Sequence, residues 1–86
     1  MNQTTNQVTK SIQVKSVEEL GKYVRAYRKA RGITQGKVSG LSNVSTKFLS
    51  EFERGKKTSE IGKILQVLNV LGIDVTVGQR KSGIKG

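Results

Sequence analysis

The side chains in this sequence with chemistry to offer are cations and small hydrogen-bonding groups. Thr46, Lys47 and Ser50 lie one and four residues apart, just after Ser45, so a helix there turns the three toward one side. Lysine can donate to guanine O6 or N7, and serine or threonine to several base edges. Phe48 lies between that face and the core, where it either meets a thymine methyl or packs inward. Arg54, Lys56 and Lys57 follow and suit phosphates, contacts that position a protein on a duplex without reading its sequence. Gln35 opens a preceding helix, whose first N–H groups are natural phosphate partners. Each residue has a plainer alternative. Lys47 can be a solvated lysine, the loop after it can merely solvate, and Gln35 can be an ordinary polar residue of a first turn.

The charge balance favours the first set of readings. The chain carries 16 Lys+Arg against 6 Asp+Glu, a formal charge of +10. Such an excess attracts polyanions, which leaves nucleic acid, an anionic membrane surface or an acidic protein, with general solubility as the bland alternative. No run approaches the roughly 18 apolar residues that span a bilayer. The stretch Met1 to Lys10 is polar and lacks the pattern of a secretory signal. A cytoplasmic, nucleoid-associated protein with no membrane partner is therefore expected. There is no cysteine and no histidine, which removes disulfides, thiolate metal sites and the commonest general base. With only six carboxylates, no nucleophile–base pair or metal cluster emerges, so no enzyme, cofactor or metal is expected.

These side chains need elements to hold them. Residues 1–15 are rich in Asn, Gln, Thr and Lys and read as a flexible arm, although Ile12 and Val14 alternate with polar neighbours as a short strand would. Ser16 and Glu19 fit a capping box, and Val17, Leu20, Val24 and Tyr27 give the following helix one apolar stripe, with Gly32 as its stop. Thr34 caps a second helix over about 35–41, with Val38 and Leu41 inward. Gly36 and Gly40 weaken it by about 1 kcal/mol each relative to alanine. Ser45 caps a third helix, about 46–53, with Leu49 and Phe52 inward and Gly55 as its end. Thr58 caps a fourth, about 59–71, whose inward stripe is Ile61, Ile64, Leu65, Leu68 and Leu71 before Gly72 stops it. The period then changes. Ile73, Val75 and Val77 alternate with Asp74 and Thr76 as in a strand, and residues 79–86 form a basic, flexible tail after the main domain at 16–78.

The informative stretch runs from Arg28 to Gly55. Two short helices meet there across Ser42-Asn43-Val44, and Asn43 tolerates the left-handed backbone that a tight corner needs. The matching residues are Thr34-Gln35, Val38, Val44-Ser45, Leu49-Ser50 and Phe52-Glu53-Arg54-Gly55. Over residues 18–72 the sequence thereby resembles the Cro and phage-repressor-like helix-turn-helix family. Ser39 and Asn43 stand where that family usually has Ala and Gly, and both are compatible with the corner. The resemblance implies a mainly α fold, a four- to five-helix lambda-repressor-like domain. Its third helix would read the major groove, and the side chain of Gln35 would touch a phosphate or a base. It also implies an internal ion pair between Arg28 and Glu53, which would contribute little if half-exposed.

A second resemblance is to the HipB-type antitoxins. It rests on Arg31-Gly32-Ile33-Thr34-Gln35, on the run Phe48 to Lys56, on Lys63 to Leu68 and on the strand pattern at Ile73 to Val77. Lys57 departs from a proline often found there. This likeness implies a homodimer that represses its own operator and holds a HipA-like kinase toxin. The alternatives are a stand-alone repressor and a non-DNA interaction module or RNA-binding adaptor. The polar, basic face of Thr46, Lys47 and Ser50 argues against a protein-binding role. A lone strand leaves its edges unpaired, so Ile73, Val75 and Val77 are expected to pair with the same strand of a second copy. Two recognition helices would then address a palindromic operator on double-stranded DNA.

Overall fold

The computed structural model describes residues 11–80, and within them four helices follow one another: α1 Val17–Ala30, α2 Gln35–Ser42, α3 Thr46–Glu53 and α4 Ile61–Leu71. The fold is mainly α, as the sequence pattern implies. Three of the four helices start at the expected caps. Ser16 Oγ accepts from the N–H of Glu19, Thr34 Oγ1 from that of Lys37, and Ser45 Oγ from that of Phe48. Each such cap contributes about 1 kcal/mol. The capping box is shifted by one residue. The Glu19 carboxylate accepts from the N–H of Lys15, at 2.8 Å, and not from that of Ser16.

The fourth start differs from the expectation. Thr58 lies in a turn, and α4 begins at Ile61 behind Glu60, with no side-chain cap. Ser59 explains the delay. Its N–H and its hydroxyl both donate to the carbonyl of Lys56, closing a turn that a helix from residue 59 would have to open.

The core is formed by Val24, Val38, Val44, Leu49, Phe52, Ile64, Val67, Leu68 and Leu71. Val17, Leu20, Tyr27, Ile33, Phe48 and Ile73 pack around it, partly buried. The inward stripe of α4 is thus Ile64, Val67, Leu68 and Leu71, the spacing of one helical face. Leu41, Ile61 and Leu65 were expected inside and are exposed instead. Leu65 stands about 100° round the helix from Ile64, off the stripe that meets α2.

α1 lies directly against α3. A Cβ built on Gly21 would run into the carbonyl oxygen of Phe52, so only glycine permits this approach. Nothing in the sequence pattern around Gly21 announced it beyond a glycine in mid-helix.

Ile73 to Val77 carry no strand in the single chain, and past Ile73 the segment makes no backbone hydrogen bond among the described residues. Ile12 and Val14 are exposed and also lack regular structure, so the two segments do not pair with each other. A strand exists only through a neighbouring strand, and one copy supplies none. The arm and tail expected at 1–15 and 79–86 lie mostly outside the described residues. What is described of them, Ser11 to Lys15 and Gln79 to Arg80, is exposed.

Candidate nucleic-acid interface

The corner between α2 and α3 is built as the sequence required. Asn43 sits in the left-handed region, φ 59° and ψ 39°. Ser39, on the helix before it, donates its hydroxyl to the carbonyl of Val44 at 2.6 Å, and the N–H of Val44 returns to the carbonyl of Ser39. The serine therefore satisfies a buried carbonyl at the corner that an alanine would leave to other partners. Val44 is itself buried, which pins the turn to the core.

α3 leaves this corner with its apolar side, Leu49 and Phe52, fully buried. Ser45, Thr46 and Lys47 are exposed at its first turn. Ser50 is half-buried and accepts a hydrogen bond from Arg54 Nη1 at 2.5 Å. The helix thus presents a polar line from Thr46 through Ser50 to Arg54. Phe48 is half-buried and stacks on Phe52, with ring centroids 6.1 Å apart, which makes it a packing residue in this chain. Lys63 of α4 lies over its ring, 5.7 Å from the centroid.

The loop cations divide. Lys57 is exposed with no ion-pair partner among the described residues. Lys56 instead meets Glu51, Nζ to Oε1 at 3.1 Å. Its ammonium holds the Glu51 carboxyl below the usual carboxylate range. Glu51, Arg54, Gly55 and Lys56 surround a shallow hollow at the end of α3.

Gln35 departs furthest from the sequence reading. It is half-buried, and its Nε2 donates to Glu53 Oε1 at 3.0 Å. Glu53 is the centre of a closed network. Arg28 donates to it twice, Nε to Oε2 and Nη2 to Oε1, both at 2.7 Å, and gives its third bond from Nη1 to the carbonyl of Ile33. The internal pair that the resemblance implied is present and is buried rather than half-exposed: the side chains are 9% and 1% exposed. The hydrogen bonds to Glu53 raise the pKa of Arg28 still further. A buried bidentate pair with its lone pairs filled fixes relative geometry more than it adds stability. Here it fixes α1, the start of α2 and the end of α3 to one another.

Of the three residues expected at a dimer seam, Ile73 packs on the chain's own core, and Val75 and Val77 are exposed. Among the described residues no cluster of His, Cys, Asp or Glu could hold a metal, and no helix is long and apolar enough to cross a membrane.

A short helix capped into a left-handed corner, polar outside and braced by a second short helix, is the geometry of the family whose model matches residues 19–77, described as a helix-turn-helix domain. The chain belongs to the helix-turn-helix domain family. Over 71 residues it is 35% identical to an uncharacterized HTH-type transcriptional regulator, y4mF, of Sinorhizobium fredii, covering 79% of this chain and 93% of that one. Among solved structures it is similar to a chain of a HipB–O4 20mer complex, with TM-score 0.76, 18% identity, and coverage of 83% of this chain and 100% of that chain. A HipA–HipB–O2–O3 complex matches equally well at the same identity. The clp gene regulator ClgR from C. glutamicum matches with TM-score 0.62 and 32% identity over 72% of this chain and 80% of that one. With these relatives the helix-turn-helix chain is a transcriptional regulator and not an enzyme.

Proposed function

We propose that this helix-turn-helix regulator is a homodimeric repressor of its own operator, and that it acts as the antitoxin of a HipA-like kinase. The observation that carries the DNA-reading part is the first turn of α3, where Thr46 and Lys47 stand exposed on a helix whose other face is locked into the core. In the major groove that turn would face base edges, with Ser45 and Ser50 beside it. Arg54 and Lys57 would hold phosphates, Lys56 would do so once released from Glu51, and Gln35 would offer a phosphate the N–H groups at the start of α2. Its side chain, held by Glu53, would support that placement rather than search for a base.

The kinase partner is supported by the HipB-like sequence run and by the fold shared with HipB, which has been solved together with HipA. A second reading, a regulator without a toxin, is favoured by the higher identity to ClgR. A cytoplasmic, nucleoid-associated location accompanies either reading.

Titration of the purified protein with a duplex from upstream of its own reading frame, and with a scrambled duplex of equal length, tests the repressor. Tighter binding to the upstream duplex at fixed salt is expected, and equal binding to both would overturn it. Affinity purification from the native host with mass spectrometry tests the antitoxin. Recovery of a kinase-like protein supports it, and recovery of this chain with DNA alone favours the second reading.

A further inference from the structure

Outside the α2–α3 corner, a second group of cations is gathered by the packing of α1 on α3. Lys22, Arg25 and Ala26 from α1, with Glu53 and Arg54 from the end of α3, line a shallow concavity. The one carboxylate in its wall is already spent. Both oxygens of Glu53 accept from Arg28, and one also from Gln35, inside the core. The three cations are exposed. Arg25 and Arg54 have no ion-pair partner among the described residues, and Lys22 has only Glu18 at 3.8 Å on the solvent side. The concavity therefore carries net positive charge, with Glu18 beside Lys22 and Glu51 near Arg54 as the neighbouring carboxylates outside its wall.

Its place in the fold selects the ligand. Arg54 reaches back to Ser50 on the polar line of α3, so the cluster continues the surface that begins at Thr46. α3 has eight residues, about two turns, and a major groove about 12 Å wide admits a helix of about 10–12 Å diameter with its N-terminal turn on the base edges. With its first turn over base edges, its last residue stands at the groove's rim, where the phosphates run. The glycine contact at Gly21 brings Lys22 to that rim, because α1 rests on the backbone of Phe52 just before Glu53 and Arg54.

We infer that Lys22, Arg25 and Arg54 form a second phosphodiester-binding subsite, one that grips the DNA backbone at the edge of the groove α3 occupies. The inference rests on the DNA-reading role of α3. It assigns to α1 a contact that the corner alone does not provide, and it extends the footprint beyond α3 and its loop.

The test uses the full chain, the upstream duplex and a scrambled duplex, with binding measured across a salt series. Each phosphate contact contributes a slope of about 0.9 in log K against log salt. Lys22→Gln/Arg25→Gln should lower the slope by about 2 on both duplexes and leave the ratio of the two affinities unchanged. Lys15→Gln/Arg80→Gln removes the same charge outside the concavity and should lower the slope by less. A double variant at Lys22 and Arg25 with the parental slope overturns the subsite, and so does an equal fall in the control pair. If the parent prefers the upstream duplex while the slope stays unchanged, the subsite fails and the repressor reading survives. If the parent binds neither duplex, both fail. Because Lys22 and Arg25 are exposed, circular dichroism of the variant should match the parent.

Discussion

The amide nitrogen of Gln35, the first residue of α2, donates to Oε1 of Glu53, the last residue of α3, at 3.0 Å. One carboxylate thereby ties together the beginning and the end of the helix-turn-helix, while Arg28 supplies its charge partner from α1. Removing one member of such a buried pair strands the other. Glu53→Leu should cost about 3–5 kcal/mol. Arg28→Met/Glu53→Leu should recover a large part of the loss, since no unpaired charge then remains inside. Urea unfolding of the two variants and the parent checks this, and a double variant less stable than Glu53→Leu would contradict it.

Gly21 and Gly40 make a paired test of why a helix carries glycine. Gly21→Ala puts a methyl group against the backbone oxygen of Phe52, which cannot swing aside. Overpacking of this kind costs about 1–3 kcal/mol, against a gain of about 1 kcal/mol in helix propensity, so net destabilisation is expected. Gly40 has open space around its Cβ position. Gly40→Ala should therefore stabilise by up to about 1 kcal/mol. Thermal melts of the two variants should move in opposite directions.

Lys47 and Lys57 should separate reading from holding. If Lys47 reads a base, Lys47→Ala costs about 1–3 kcal/mol on the preferred duplex and relaxes one position of the site. Lys57→Ala should weaken binding to every sequence alike. Titrations of preferred and scrambled duplexes at one salt concentration compare them. Equal losses on both duplexes for Lys47→Ala would remove its readout role.

The Glu51 carboxyl supplies a pH signature. Lys56 keeps it below the ordinary carboxylate range, so the pair's contribution is present above that range and is lost as pH falls through the lowered value. Lys56→Ala should move the Glu51 titration upward, read by NMR at its side-chain carboxyl carbon. Superimposed titration curves for variant and parent would show that the ion pair does not form in solution.

The segment from Ile73 to Val77 should become a strand only in a dimer. Val75 and Val77 are exposed in one copy, and an antiparallel partner would cover them. The parent should sediment as a dimer at micromolar concentration. Val75→Pro removes a ladder donor and should shift it to monomer. A parent that is monomeric under those conditions would exclude the strand as a seam.

The local grammar of this chain was legible in its residues. Ser16, Thr34 and Ser45 cap helices because a side-chain oxygen two or three residues from a free N–H needs no distant partner. Asn43 turns the corner because its own backbone preference allows it. The exposed polar turn at Thr46 and Lys47 followed from the apolar spacing of Leu49 and Phe52. Other features were decided by contacts between segments far apart in sequence. Leu41, Ile61 and Leu65 are as apolar as their buried neighbours, and only the choice of which helix faces pack together left them outside. Glu53 became a buried hub because α1 delivered Arg28 to it across 25 residues, a placement no local pattern encodes. Gly21 set the distance between α1 and α3 and so gathered Lys22, Arg25 and Arg54 at one rim. Propensity and capping act within a turn of helix, where sequence is sufficient. Burial, charge pairing and surface clustering depend on which helix faces meet, and that is settled only when the chain is packed.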